Sequence, residues 1–329
     1  MATTNPYMLG ASGILPGWKY WKMVTLSRAS GAVTNYQMKL LVGESSGATG
    51  EDVDCNSHVQ ADFDDLRFTT INGTLLDYWI ESISADVSPN KLATVWIEFN
   101  SIGIGATTFY MYYGNAAAAA VSSGANTFIV FDDFERGIDG DEVGGSWTEL
   151  NGIVQISTEQ KYGGSRSMKL KGSAAAPRCN ISVTASDNIA IYYRFFVSPT
   201  TVPNHNLAHG DTNTWLTYVQ FQSDLDILWY DGAAWQDTGD NFGTNAWHTF
   251  ELRKFVWATP VVDFVYDGTV IQAAADISYG TTGAEFANKV RFDTDAGSDL
   301  YKLYIDNFIV RNYRPTEPAW GTWSAEATR

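Results

Sequence analysis

The densest group of aromatic residues in the chain lies between residues 215 and 235, where flat rings alternate with polar side chains. Sugar rings stack on flat aromatic faces, and Asn, Asp and Gln side chains hydrogen-bond their hydroxyl groups. This segment therefore predicts a glycan-binding surface, although the same aromatic residues could instead form a core. Trp229 and Tyr230 are consecutive, so they face opposite sides of any strand and one of them can be exposed. The predicted glycan-binding residues are Trp215, Tyr218, Trp229, Tyr230 and Trp235, interleaved with Asp224, Asp226, Asp231 and Gln236.

The acidic residues do not show the spacing that cleavage of glycans requires. Hydrolysis uses two carboxyl groups, about 5–5.5 Å apart for retention and about 6.5–9.5 Å apart for inversion. The pattern Glu-x-Asp-x-x-Glu, which would place such a pair on one strand, does not occur. His205 and His209 have a zinc-like spacing, but they lie in a segment rich in Pro and Asn that we interpret as a loop. No catalytic residue is predicted, and we expect a protein that is not an enzyme.

One carboxylate near the end of the chain is a candidate for burial. In the segment 304–310, Tyr304, Asp306, Phe308 and Val310 share one face of a predicted strand, and Asn307 lies on the other. Whichever face is buried, one polar side chain lies among apolar neighbours. A buried carboxylate needs a cation or several hydrogen-bond donors. Both Ca²⁺ and backbone N–H groups would satisfy this need, and the sequence favours neither.

The charge of the chain restricts its partners. Its 21 basic and 37 acidic residues give a net charge of −16, and no cluster of Lys or Arg offsets this excess. Nucleic acid and anionic membrane surfaces would be repelled, so neither is an expected partner. The acidic excess indicates either solubility or oxygen ligands for a hard cation.

The two cysteines and the N-terminal segment bear on the compartment. Cys55 and Cys179 fall in different predicted domains, so we expect no disulfide framework. Residues 1–15 lack the cationic and apolar regions of a signal peptide, and no run of eighteen apolar residues occurs. The composition is typical of an extracellular protein. A location outside the cell or on a virion surface reconciles these observations, because virion proteins are made in the cytoplasm and released by lysis.

Short strands separated by turn residues recur along the whole chain. Residues 189–197 alternate perfectly between two faces, and Asn72-Gly73 and Asp267-Gly268 are hairpin turns. The alanine run that starts at residue 116 indicates an interdomain linker. The predicted fold is all-β, with two β-sandwich domains. The expected boundaries are 1–115 for the first domain, 116–125 for the linker, 126–313 for the second domain and 314–329 for a tail rich in Pro and Trp.

Residues 18–115 carry motifs that resemble a family of domains of unknown function in archaeal, bacterial and phage surface proteins. The matching segments are Trp18–Lys22, Asp64–Phe68, Tyr78–Glu81, Thr94–Ile97 and Tyr110–Asn115. The family has no agreed activity and commonly precedes a concanavalin-like sandwich. The resemblance implies a packing or surface role for the first domain.

Residues 126–313 resemble the laminin-G-like, concanavalin A-like and carbohydrate-binding-module jelly rolls. The motifs are Phe131–Gly137, Trp247–Leu252 with the hairpin that follows it, and Tyr304–Val310. Many such jelly rolls hold a structural Ca²⁺ that joins the first strand to the last. The resemblance implies the ligands Glu135 and Asp306, with Asp133 nearby.

These observations favour a non-catalytic virion or surface structural protein used in adhesion, for example a capsid decoration, fibre or filament subunit. Its expected partners are other subunits, including copies of itself, and a glycan contacted through the jelly roll. A secreted carbohydrate-binding module is the first alternative. A diverged polysaccharide-cleaving enzyme is the second.

Overall fold

The computed structural model describes residues 15–29, 31–48, 50–184, 188–198, 204–210, 215–256, 259, 261–277, 289–294 and 302–329. The chain divides into two compact units. The first contains residues 1–128 and 315–329, and the second contains residues 129–314. No helix within the described part of the chain is long and apolar enough to cross a membrane.

The described residues form strands and one short helix. In residues 1–128 these are β1 (Tyr20–Arg28), β2 (Val33–Gly43), β3 (Val53–Asp54), β4 (Arg67–Thr70), β5 (Leu75–Leu76), β6 (Tyr78–Ile83), β7 (Leu92–Ile102), β8 (Gly105–Tyr113) and α1 (Gly124–Thr127). The second unit contains β9 (Val130–Asp132), β10 (Trp147–Asn151), β11 (Ile153–Ser157), β12 (Ser167–Lys171), β13 (Arg178–Ser182), β14 (Ile189–Val197), β15 (His205–Gly210), β16 (Trp215–Phe221), β17 (Asp226–Tyr230), β18 (Trp235–Asn241), β19 (Trp247–Val256), β20 (Val261–Tyr266), β21 (Thr269–Asp276), β22 (Lys289–Thr294) and β23 (Lys302–Asn312). The tail adds β24 (Ala319–Trp320) and β25 (Ala327–Thr328).

The first unit is a sandwich of two sheets. One has the strand order β24-β1-β8-β4-β5, with β25 also paired to β1, and the other has the order β3-β2-β7-β6. Side chains from both sheets share one core, in which Leu26 and Met111 of the first sheet meet Leu40 and Ile97 of the second. The predicted Asn72-Gly73 turn joins β4 to β5, with Gly73 at a φ of 82°.

The tail belongs to the first unit, because two short strands of it pair with β1. The segment predicted as a linker, 116–125, also belongs there rather than standing free. Ser122 accepts a hydrogen bond from the Ile80 N–H, and Ala119 accepts one from Arg67. The structure therefore replaces the predicted boundary at 126 with one between residues 128 and 129.

The second unit is a larger sandwich. Its seven-stranded sheet has the order β10-β13-β22-β15-β16-β17-β18. Its eight-stranded sheet has the order β11-β12-β23-β14-β19-β20-β21, with β9 also paired to β23. Rings from both sheets meet in the core, for example Phe221 with Phe250 and Tyr193 with Phe292. The all-β prediction with two sandwiches is confirmed.

Two local structures in the second unit agree with the predictions from the sequence. Every second residue of β14, from Ile189 to Val197, is buried in the core as its alternation predicts. The Asp267-Gly268 turn joins β20 to β21, and both residues have positive φ, as this tight hairpin requires. Cys55 and Cys179 are buried free thiols in different units.

Candidate functional site

The outer face of the seven-stranded sheet carries three of the predicted glycan-binding residues. On β16 and β17 the residues Val219, Phe221 and Ile227 point into the core. Because side chains alternate along a strand, Tyr218 and Tyr230 point to the opposite, outer face. Trp235 of β18 pairs with Tyr230 and therefore lies on the same face, where it is 42% exposed.

These residues form one row across the sheet. The strand pairing aligns Arg291 with Ala208 and Ala208 with Tyr218. The register of β16 and β17 continues the row to Tyr230, which is paired with Trp235. At about 4.8 Å between strands, the four intervals from Arg291 to Trp235 span about 19 Å. We call Arg291, Tyr218, Tyr230 and Trp235 the aromatic row.

The rings of the aromatic row contact one another. The Trp235 ring centre lies 5.6 Å from that of Tyr218 and 5.5 Å from that of Tyr230, and both ring pairs are steeply inclined. Tyr218 and Tyr230 are half-buried. Their mutual packing holds the rings in place and leaves part of each ring open to solvent.

A second row of polar side chains runs beside the first. Asn206 donates a hydrogen bond to Asp293, Gln220 donates one to Asn206, and Gln222 donates one to Gln220. We call Asp293, Asn206, Gln220 and Gln222 the polar chain. Each amide is oriented by its neighbour, so its remaining donors and acceptors have fixed directions.

Cationic side chains lie at one end of the two rows. Arg291 is 8% exposed, and its Nε lies 3.0 Å from Asp293. Arg178 lies 3.5 Å from the same carboxylate. Burial lowers the pKa of Arg291, an effect that Asp293 opposes and Arg178 reinforces. One carboxylate therefore faces two guanidinium groups.

The opposite end of the face carries acidic residues that are already engaged. Asp226 accepts a hydrogen bond from Asn241. Asp231 accepts bonds from the N–H groups of residues 233 and 234 and from Gln236, and the backbone bonds are the main cause of its lowered pKa. Asp237 accepts one from the Gly239 N–H. These carboxylates shape the turns around β18 and give this end of the face a negative charge.

Two predicted glycan-binding residues do not join the row. Trp229 is 8% exposed, lies in the core and packs edge-on against Phe264. Trp229 therefore cannot contact a ligand on the outer face. The next residue of the strand, Tyr230, lies on that face instead. Trp215 is the first residue of β16, and its side chain lies outside the described residues.

The predicted metal ligands Glu135 and Asp306 are held by the backbone of one loop. Asp306 is fully buried and accepts hydrogen bonds from the N–H groups of Tyr162 and Gly163. Glu135 accepts bonds from the N–H groups of Ser165 and Arg166. We call this arrangement the carboxylate clamp. Burial raises the pKa of Asp306 to about 7, although its backbone hydrogen bonds oppose the shift.

The clamp does not fit the Ca²⁺ that the resemblance implies. A calcium ion needs oxygen ligands, whereas the loop presents the positive ends of four N–H dipoles to the two carboxylates. Asp133 accepts a hydrogen bond from the Glu135 N–H, and burial is the main cause of its raised pKa. Among the described residues, no group of three or more His, Cys, Asp or Glu side chains is arranged to hold a metal ion. The backbone N–H alternative therefore accounts for this buried carboxylate.

Three polar residues of the outer face were not predicted as site residues from the sequence. Arg291, Asp293 and Asn206 lie on strands far apart in the chain, so no local pattern joins them. The alternation in Lys289-Val290-Arg291-Phe292-Asp293 was a usable signal, because it places three charged residues opposite a core face. His205 was interpreted as part of a loop, but it begins β15 and its ring is buried in the core.

Residues 43–47 form a Gly-x-Ser-x-Gly sequence. In acyl-transfer enzymes this pattern can present a nucleophilic serine on a tight turn between a strand and a helix. Here the Ser45 hydroxyl donates a hydrogen bond to the Pro89 carbonyl at 2.7 Å and accepts one from the Gly47 N–H. These bonds stabilise the turn after β2, so the pattern has a structural role in this domain.

Comparisons with known proteins agree with parts of this description. A family model described as "Domain of unknown function (DUF2341)" matches residues 62–150. This match overlaps the resemblance predicted for residues 18–115 and supports it over the shared residues. A search of curated proteins found no significant match.

Solved structures with similar folds include enzymes and binding domains. A sialidase matches at 11% identity with a TM-score of 0.44, covering 63% of this chain but only 20% of its own. A carbohydrate esterase of the Shiga toxin-encoding bacteriophage phi24B matches at 19% identity and a TM-score of 0.40, covering 51% of this chain and 91% of its own. The binding domain of botulinum neurotoxin serotype D matches at 12% identity and a TM-score of 0.40, covering 56% and 48%. At these values the likeness says nothing about activity or ligand.

Proposed function

We propose that this chain is a non-catalytic glycan-binding protein, and that a saccharide chain binds along the aromatic row. The observation that carries the proposal is the alignment of Tyr218, Tyr230 and Trp235 on one outer face. Aromatic rings there offer apolar faces to sugar rings, and their mutual packing keeps them in place without a ligand. A row that crosses several strands suits an oligosaccharide better than a single sugar.

The polar chain supplies the second requirement of a sugar site. Hydroxyl groups need donors and acceptors whose directions are already fixed, because ordering flexible side chains on binding reduces affinity. Asn206, Gln220 and Gln222 are ordered by hydrogen bonds to one another. They lie beside the aromatic row, so one ligand can contact both sets.

The arrangement of Asp293 favours binding over cleavage. Asp293 lies at the cationic end of the two rows, and it interacts with Arg178, Arg291 and Asn206. These groups engage both oxygens of the Asp293 carboxylate. Glycan cleavage would require a carboxyl group that can reach the glycosidic bond as a proton donor.

We propose that the protein acts outside the cell or on a virion surface, as an adhesion or structural subunit that assembles with copies of itself. The strong negative charge and the two β-sandwich units suit a surface module. Recovery of the protein in stoichiometric amounts with particles or filaments would support this role. Recovery solely as a soluble monomer would contradict it.

The test of glycan binding is an array probed with the full chain, followed by calorimetry on the ligands found. Trp235→Ala is expected to weaken binding at least about tenfold, since stacking on an exposed ring is lost. The matched control is Trp247→Ala, which changes a tryptophan on the outer face of the other sheet of the same unit. Equal affinity of the Trp235→Ala and unchanged proteins would contradict the proposal.

The same ligands separate the alternatives. Release of reducing ends, or of unsaturated sugars, would show an enzyme and overturn the non-catalytic assignment. Binding without any release, lost on Trp235→Ala, would support a binding module.

A further inference from the structure

The charge of the outer face differs from that of the whole chain. The protein carries a net charge of −16. Among the described residues at the end of the face formed by β13 and β22, however, Arg178, Lys289 and Arg291 accompany a single carboxylate, Asp293. Lys289 and Arg291 are two residues apart on β22, and the residue between them, Val290, points into the core. Among the residues that the structure describes, positive charge is therefore concentrated at this end of the outer face.

From this charge and its position we infer that the face selects a saccharide that bears a carboxylate, and that Arg291 and Arg178 bind that carboxylate. This inference rests on the proposed glycan-binding function and adds the chemical class of the ligand. A guanidinium group is planar and matches a carboxylate with two parallel hydrogen bonds. Asp293 already uses part of this capacity, but it is one anion shared by two guanidinium groups.

The position of Arg291 links the charged group to the stacking surface. Its guanidinium carbon lies 6.0 Å from the centre of the Tyr218 ring. A sugar that stacks on Tyr218 can therefore place a carboxylate substituent against Arg291. Because Arg291 is largely buried, its attraction for an anion is screened less than that of an exposed side chain.

The acidic end of the face gives the ligand a direction. Asp231 and Asp237 lie next to Trp235 in the β17–β18 hairpin, and Asp226 lies farther along β17. A second carboxylate near Trp235 would be repelled, whereas a neutral sugar would stack there. The face therefore suits a chain with its acidic sugar at the Arg291 end and a neutral sugar at the Trp235 end.

The experiment compares matched ligands on the full chain by calorimetry. The probes are an oligosaccharide that contains a uronic acid, the same oligosaccharide after reduction of its carboxyl group to an alcohol, and a sulfated neutral oligosaccharide of equal length. We expect the carboxylate form to bind about tenfold or more tightly than its reduced form at low salt, and the ratio to fall as salt is added.

Three variants locate the effect. Arg178→Gln changes a side chain that is 40% exposed, so it is expected to fold and to reduce the ratio between the acidic and reduced ligands. The double variant Arg291→Gln with Asp293→Asn removes the second guanidinium without leaving a buried carboxylate unpaired. Trp235→Ala is expected to weaken both ligands and leave their ratio unchanged.

The outcomes separate the two claims. Equal binding of the acidic and reduced ligands would overturn this inference and leave the proposed function standing. Tighter binding of the sulfated ligand than of the uronic acid would overturn the carboxylate assignment. Failure of all three probes, together with an array that shows no ligand, would overturn both claims.

Discussion

Glu326 in the tail accepts a hydrogen bond of 2.8 Å from the hydroxyl of Tyr113 in β8, although 213 residues separate the two in sequence. The same carboxylate lies 3.0 Å from Nδ1 of His58. Burial is the main cause of the raised pKa of Tyr113, and the bond to Glu326 adds to it. The tail is thus joined to the interior of the first unit by a specific polar contact as well as by strand pairing.

Trp320→Ala is expected to destabilise the first unit. The Trp320 ring packs on Phe99 and Trp323, and its Nε1 donates a hydrogen bond to the Lys39 carbonyl. The ring is half-buried, so we expect a loss of about 2 kcal/mol in the free energy of unfolding, less than for a fully buried ring. Denaturant unfolding of the full chain measures this loss.

The control for this change is Trp235→Ala, which alters a more exposed tryptophan of the second unit and should change stability by about 0.5 kcal/mol or less. Identical unfolding curves for Trp320→Ala and the unchanged chain would show that the tail does not stabilise the first unit.

The carboxylate clamp predicts a stability that does not depend on calcium. Addition of a chelator or of Ca²⁺ is expected to leave the melting temperature unchanged. Asp306→Asn should lower the free energy of unfolding by about 1.5–3 kcal/mol, because the amide nitrogen cannot accept the N–H donors that now surround a carboxylate. A melting temperature that rises with Ca²⁺ in the unchanged protein but not in Asp306→Asn would restore the ion-binding interpretation.

Asp306 also predicts a dependence of stability on pH. Its pKa is about 7 in the folded chain, against an ordinary value of 3.8, so the folded state binds this proton more tightly. Its contribution to stability is complete below about pH 4 and is lost as the pH rises to about 7, by up to about 1.4 kcal/mol per pH unit. Unfolding of Asp306→Asn should lack this fall. A pH profile parallel to that of the unchanged protein would contradict the assignment.

His205 predicts the opposite slope in part of the same range. Burial in the core lowers its pKa to about 3, and neither ring nitrogen has a hydrogen-bond partner among the described residues. The unfolded chain therefore binds this proton first, and stability falls as the pH drops below about 6.5. We compare the free energy of unfolding of His205→Leu with that of the unchanged protein at pH 5 and at pH 8. The difference should favour the variant more at pH 5 than at pH 8.

The control for His205 is His58→Asn, because the His58 side chain is 37% exposed and lies in the first unit. Calorimetric unfolding at both pH values separates the two residues. An equal gain for the two variants at pH 5 would contradict the prediction for His205.

Local features of the fold were predictable because they depend on neighbouring residues. The alternation in β14 and the Asp267-Gly268 turn need only the residues themselves. Alternation alone could not show whether Trp229 or Tyr230 is exposed. It shows that the two residues face opposite sides of the strand, but not which side is the core. That choice is made by the pairing of β17 between β16 and β18.

The candidate site depends on pairings between distant strands, which explains why the sequence revealed only half of it. β22 lies between β13 and β15, so Asp293 meets Arg178 and Asn206 only after the sheet has formed. The tail is a similar case. The sequence predicted a separate tail rich in Pro and Trp, but only its pairing with β1 shows which surface the tail contacts.

The return of the tail to β1 makes the second unit an insertion within the first. The backbone leaves the first unit after residue 128 and re-enters it at residue 315. A protease that cuts once between the two units would therefore leave two fragments that stay associated through β24 and β25. Such a nicked protein would migrate as two bands under denaturing conditions while eluting as one species in native buffer.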